Sequence, residues 1–371
     1  MWIYFSVVGI CLIASLSRNK ALKYYILFLL LLFVCCGYMT GTDWRNYELS
    51  YYQSEFKDLT EERFEIGYGL LQNICNYLSI DFWHFHILIK VFVFLLVTKF
   101  VSYVKVNILF FWALFLPELG LYLFIDCPFR NLIAFGIFCL SVPALFEQRT
   151  KYFVILASIA VLFHYSALIL FLLFFWIRFP LKNRYYIILF ILANIFAYKV
   201  DYLLENVFSN IFEASDFFKD RLLVYALNED FLASKINIGS VYRIIFFILF
   251  IYYRPKIENM QYGRLLFSIS MLFFVLYPFT ISLKIFNRFA IYLLPLYLVA
   301  VVKMLPFIER GVRYIVLFVI LGWTLLKTYT TITADYRYIP YSNYFQYLMQ
   351  DKPSYKYRSI YNIQNSPYGK N

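Results

Sequence analysis

The chain has 371 residues, 63% of them hydrophobic and 15% charged, with mean hydropathy +0.67 and a formal net charge of +12. A soluble domain sits near half apolar, so a water-facing core is excluded for a chain of this size and lipid takes the excess. The basic charge would suit nucleic acid if it formed one patch, but it recurs in alternate short loops.

The apolar runs have the length that a hydrocarbon core of roughly 30 Å requires. They predict spans at 2–16, 24–39, 82–98, 106–124, 129–146, 152–163, 165–177, 185–198, 241–253, 265–283, 289–302 and 314–327. The first run, Trp2 to Leu16, lacks a basic leader and a small-residue cleavage site, so it reads as a span and not as a cleaved signal. The predicted fold class is all-α, a polytopic transmembrane helical bundle of about twelve segments including a short hairpin.

Lys and Arg set the orientation. Alternate loops from Arg18 to Arg313 carry 16 basic residues against three acidic ones, Glu147, Glu258 and Glu309. The 40–81 segment has three basic and eight acidic residues, and 199–240 has four and seven. The basic loops are therefore expected in the cytoplasm, and 40–81, 199–240 and both termini outside. Residues 1–347 read as one transmembrane domain and 348–371 as an extracytoplasmic tail.

Two outer segments have helical texture. Residues 60–80 place Phe64, Tyr68, Leu71, Ile74, Cys75 and Leu78 on one face, an amphipathic helix lying on the membrane. The stretch SDFFKDRLLVYALNEDF in the 199–240 loop has similar character. Between Lys151 and Arg178 the chain is apolar for 26 residues, broken by His164. Both ends are basic, so the run is expected to double back with His164 at its tip. Backbone turning at that depth must be buried in protein or line a wet cavity, which makes His164 the strongest pointer to a site.

Other polar residues sit at the outer span ends. Asp43, Trp44, Arg45 and Tyr47 follow the second span, Glu65 opens the amphipathic helix, and Asp126 and Arg130 flank the fifth span. Lys284 and Arg288 lie between the tenth and eleventh. Ionisable groups in or near the bilayer are costly and tend to be functional, although snorkelling anchors and solvated helix caps use the same residue types. Arg130, Arg288 and Arg45 suit an anionic diphosphate, since guanidinium forks onto such groups. Trp44, Tyr47, Tyr68, Tyr338 and Tyr341 suit an interfacial belt. His84 and His86 read as interfacial, and no metal-ligand spacing is present. Cys11, Cys35, Cys36 and Cys139 read as small core residues, while Cys75 and Cys127 could meet on the outer side.

The ordered blocks GTDWRNYELSYYQSE, FEIGYGLLQNI, FRNLIAFGIFCLS, KYFVILASIAVLFHYSALILFLLF, NRFAIYLLPLY and YRYIPYSNY resemble the EpsG family of bacterial exopolysaccharide and O-antigen polymerases, the Wzy type. The resemblance runs from 40 to about 345 and rests most on RN-x-x-A-x-G followed by His164-x-Ser166. It departs at Trp44, where the family often has Tyr, and the tail after Tyr347 has no counterpart.

The resemblance implies a GT-C-like glycosyltransferase that joins oligosaccharide repeat units on undecaprenyl diphosphate at the outer face of the cytoplasmic membrane, as O-antigen, capsule or exopolysaccharide. It implies no cofactor and no nucleic acid, and chain-length regulator and flippase proteins as partners. The chemistry needs cations at the leaving diphosphate and a base for the attacking hydroxyl. His164, Asp43 and Glu65 are the expected catalytic candidates, and Trp44, Tyr47, Tyr68, Tyr338 and Tyr341 are expected to hold sugar rings through their amphipathic faces. The competing expectations are a lipid-linked sugar flippase, which would favour repeats and broken helices in both halves, and a membrane O-acyltransferase, which would draw on a cytoplasmic acyl donor.

Overall fold

Backbone inside lipid must satisfy its own hydrogen bonds, and this chain does so with helices. The computed structural model describes residues 1–53, 65–199, 237–283, 286–348 and 350–368. Phe64, Lys284 and the amphipathic stretch expected near 215–231 lie outside the described residues. No strand occurs among the described residues, only an isolated bridge between Gly37 and Asn343.

The chain divides into two units: Met1–Leu168 with Arg310–Asn371, and Ile169–Glu309. The first contains α1 (Trp2–Leu16), α2 (Lys20–Cys35), α3 (Trp44–Gln53), α4 (Ile66–Tyr77), α5 (Phe82–Tyr103), α6 (Ile108–Phe115), α7 (Phe129–Phe146) and α8 (Thr150–Phe163). The second contains α9 (Ile169–Trp176), α10 (Asn183–Tyr198), α11 (Ile238–Glu258), α12 (Gly263–Ser282) and α13 (Asn287–Met304). The chain then returns to the first unit with α14 (Arg310–Thr333) and α15 (Tyr355–Asn365).

Six helices are long and apolar enough to cross a membrane among the described residues: α5, α7, α11, α12, α13 continued to Phe307, and α14. Shorter apolar helices lie at 2–16, 108–120, 150–163, 165–176 and 183–198. The expected spans at 2–16 and 129–146 coincide with helices, and the others, apart from 106–124 and 165–177, overlap helices that differ at their ends.

The run expected at 106–124 is not a uniform helix. It is α6 followed by two π-helical stretches, Leu116–Gly120 and Tyr122–Asp126. Pro117 lies in the first, where it cannot donate a backbone bond. The widened turns are held by α14: Trp323 Nε1 donates to Glu118 at 2.7 Å and the Thr331 hydroxyl to the Pro117 carbonyl at 3.4 Å. Cys127, in the left-handed region at φ 59°, ends the stretch and turns the chain into α7.

The core of the first unit is α7, which packs against α5 and α8. Nearly all of α7 is buried, whereas α8 buries only Phe153, Ala157 and Ala160. Two alanines three apart let the backbones approach, as small residues do between membrane helices. The cysteines expected to meet do not: Cys75 and Cys127 are both free thiols. Cys127 is buried among packed helices, and Cys75 sits half-exposed on α4.

Candidate functional site

α8 stops at Phe163, and His164 is extended, with φ −161° and ψ 127°. A single 3-10 turn, Tyr165–Leu168, follows. The expected break at His164 is therefore present; the arm after it belongs to the second unit. The His164 ring is 7% exposed.

Glu65 brings a charge to that ring. It is the N-cap residue of α4, yet its side chain does not cap the helix. Its Oε1 lies 2.6 Å from His164 Nδ1 and accepts the Tyr165 backbone N–H at 3.4 Å. Its Oε2 accepts from the Arg130 guanidinium. Gly67 makes this approach possible: a Cβ there would lie 2.8 Å from the Leu162 carbonyl oxygen. α4 thus rests on the end of α8, just ahead of His164.

Arg130 is in the first turn of α7, and its Nε donates to the Tyr47 hydroxyl at 3.3 Å. Burial pushes the Tyr47 phenol up to about 12 against the pull of Arg130, so the hydroxyl stays protonated. The rings of Tyr47, Tyr68 and Phe129 pack edge to face or tilted around this contact, with centroids 5.4 to 5.9 Å apart. The next residue on α7, Asn131, accepts the Ser166 hydroxyl at 3.0 Å. Adjacent residues of one helix therefore hold both polar ends of His164-x-Ser166, Arg130 through Glu65 and Asn131 directly.

Burial would raise the Glu65 carboxyl, but the His164 hydrogen bond and the Arg130 charge outweigh it and hold Glu65 at about 2. An ionised Glu65 is an acceptor only, so Nδ1 of His164 carries the proton; this tautomer follows from the network. Nε2 then presents a lone pair. It is buried and has no hydrogen-bond partner among the described residues.

The structure joins His164, Glu65, Arg130, Tyr47 and Tyr68. Asp43 stands just before α3, its backbone carbonyl accepting from the Tyr47 N–H at 3.4 Å, so Glu65 and not Asp43 is the carboxylate on His164. Arg45 lies over Trp44 and Tyr336, with its guanidinium 6.0 and 5.8 Å from their ring centres. Arg288 is exposed in the first turn of α13, in the second unit.

Trp44 is 1% and Tyr338 3% exposed. Trp44 packs on Trp83, whereas Tyr338 and Tyr341 pack around Tyr4 of α1. Asn131 was absent from the sequence-based candidates, although it stands beside Arg130 in the RN-x-x-A-x-G block.

Six helices suited to crossing a membrane make this an integral membrane protein, with a built polar site inside its first unit. The family model described as EpsG family matches residues 20–343, most of the chain, and the protein belongs to that family. EpsG-type proteins are Wzy-like polysaccharide polymerases. No curated protein and no solved structure matches the chain.

Proposed function

We propose that this EpsG-family protein polymerises undecaprenyl-diphosphate-linked oligosaccharide repeat units at the outer face of the cytoplasmic membrane, with His164 as the general base. The carrying observation is the two-sided state of that imidazole: Nδ1 is fixed by Glu65, while Nε2 is buried and unpartnered. A histidine oriented through one nitrogen by a carboxylate is set to take a proton at the other.

The proton would come from the acceptor sugar hydroxyl as its oxygen attacks the anomeric carbon of the donor. The new glycosidic bond forms as the bond to the lipid diphosphate breaks, and the diphosphate leaves with its electron pair. Glu65 orients the ring and stabilises the imidazolium, so it is a positioning residue. Arg130 holds Glu65, with Tyr47 beside it. The outer-face assignment rests on the alternating basic loops, and with it go the twelve-segment, GT-C-like arrangement and chain-length regulator and flippase partners.

Polymerisation by His164→Ala and His164→Gln at matched protein levels tests the role. Gln can hydrogen-bond Glu65 but cannot take up a proton. Both variants are expected to lose about 10²- to 10⁴-fold in turnover. A fully active Gln variant would remove His164 as the base.

A further inference from the structure

The Arg130–Glu65–His164 cluster carries no net charge when His164 is neutral. A leaving diphosphate needs positive charge that is not already committed. In the first unit Arg337 is paired with Asp126 at 2.7 Å and Asp335 at 2.5 Å. Of the two buried cations there among the described residues, Arg358 is paired with Glu48 at 2.7 Å and the other is Lys90, 1% exposed. Lys90 has no hydrogen bond and no carboxylate within ion-pair distance among the described residues.

Lys90 lies within α5, a membrane-crossing helix, eight residues from its start at Phe82 and so about 12 Å along the axis. A charge left alone at such a place is expensive, and such groups mark ligand paths. One turn back stands His86, 2% exposed, with neither ring nitrogen hydrogen-bonded among the described residues. Its ring lies 4.9 Å from that of Phe129, the neighbour of Arg130. Side chains on a helix lean toward its N-terminus, so the Lys90 ammonium leans toward the Phe82 end.

We propose that Lys90, with His86 as a second donor, forms an anion site for the diphosphate of the lipid-linked donor, reaching the Arg130–Glu65–His164 cluster through Phe129, the neighbour of Arg130. The inference rests on the polymerase reading and adds a second cation without an ion pair to Arg45, whose Nε and Nη2 have no hydrogen-bond partner among the described residues. His86 can donate from one ring nitrogen while neutral, and Lys90 donates three N–H groups. A compact ammonium suits a phosphate approached end-on, and the rings of Phe82, Trp83 and Phe129 surround the His86 imidazole one turn away.

The test uses purified full-length protein in detergent. Binding of undecaprenyl diphosphate and inhibition of polymerisation by inorganic pyrophosphate are measured for wild type, Lys90→Met and Lys90→Arg. Met keeps the length of the stem without the charge, and thermal unfolding checks the fold. The site predicts at least about tenfold weaker lipid binding and pyrophosphate inhibition for Met, with Arg within about threefold of wild type. Lys90→Gln is read the same way should Met not fold. Unchanged binding and inhibition in a folded Met or Gln variant would overturn the site. If wild type binds the lipid diphosphate in a Lys90-dependent way but joins no repeat units, the polymerase reading fails and the site stands.

Discussion

Asn131 accepts the Ser166 hydroxyl at 3.0 Å inside the protein, one residue beyond Arg130 and two beyond His164. This bond ties the start of α7 to the turn after α8 and fixes where the His164 backbone sits. Ser166→Ala removes the donor and leaves Asn131 Oδ1 without it. A loss of about 1 kcal/mol in stability is expected, with less than tenfold loss of polymerisation. A loss as deep as that of His164→Ala would show that Ser166 takes part in the chemistry.

Glu65 and Arg130 form a largely buried pair, with side chains 4% and 25% exposed. Removing one partner strands the other charge, at a cost of about 3 kcal/mol or more. Glu65→Gln and Arg130→Met should each lower the melting temperature in detergent and abolish polymer. The double variant should recover most of the stability and none of the activity, because His164 remains unoriented. Separate, additive losses in stability would show that the two side chains act independently.

The same pair fixes an acid limit. Glu65 is held at about 2 in the folded chain, below the roughly 4.3 of an unperturbed Glu. A depressed carboxylate stabilises the fold above its unfolded pKa, and that contribution fades as pH falls toward the folded value. The wild-type melting temperature should therefore lose the Glu65 contribution between about pH 4.3 and pH 2. Arg130→Met removes a cause of the depression, so its loss should be smaller and should end at a higher pH than in wild type. Identical acid profiles for the two proteins would contradict the assignment.

Gly67 gives a sharper geometric test. Alanine favours a helix over glycine by about 1 kcal/mol, so Gly67→Ala in α4 would stabilise an unconstrained helix. Here the added Cβ meets the Leu162 carbonyl oxygen at 2.8 Å, and backbone does not move aside cheaply. The variant should be less stable, with polymerisation reduced because Glu65 is lifted from His164. Gly67→Val should be worse. A stabilised, active alanine variant would refute the close approach of α4 and α8.

The tail after Tyr347 carries the last prediction. Arg358 on α15 reaches Glu48 on α3 at 2.7 Å, and Trp83 Nε1 donates to the same carboxylate oxygen at 3.1 Å. Glu48 is next to Tyr47, the partner of Arg130. Arg358→Ala should weaken the seat of α3 and reduce turnover about tenfold, the scale of one lost charged contact. Its effect should largely vanish in a Tyr47→Phe background, where α3 no longer holds Arg130. Fully multiplicative losses would mean the tail acts elsewhere.

Hydropathy alone located the six helices suited to crossing a membrane, and the break at His164 was legible because a lone imidazole interrupts an apolar run. The partner of that imidazole was not. Glu65 and His164 are 99 positions apart, and nothing in local periodicity reports a contact at that distance. Trp44 and Tyr338 looked suited to sugar rings by residue type, but their packing on Trp83 and Tyr4 is tertiary. The π-helical stretch before Cys127 was hidden because its composition matches an ordinary span. α15 was missed since its burial depends on Arg358 finding Glu48, not on an apolar stripe.

The segment leading into α3 is completed by the far end of the chain. Tyr38 donates its backbone N–H to Ser342 at 2.9 Å, Gly41 to Arg337 at 2.8 Å, and Tyr344 returns one to Cys36 at 2.8 Å. During synthesis these early residues wait for partners roughly 300 positions downstream, about 15 to 60 s at ordinary ribosomal speed. A polypeptide cut short by a premature stop never closes that seam, so α3 and Tyr47 remain unanchored beside Arg130. Residues 337–344 therefore act as a check that synthesis has passed them before α3 is seated.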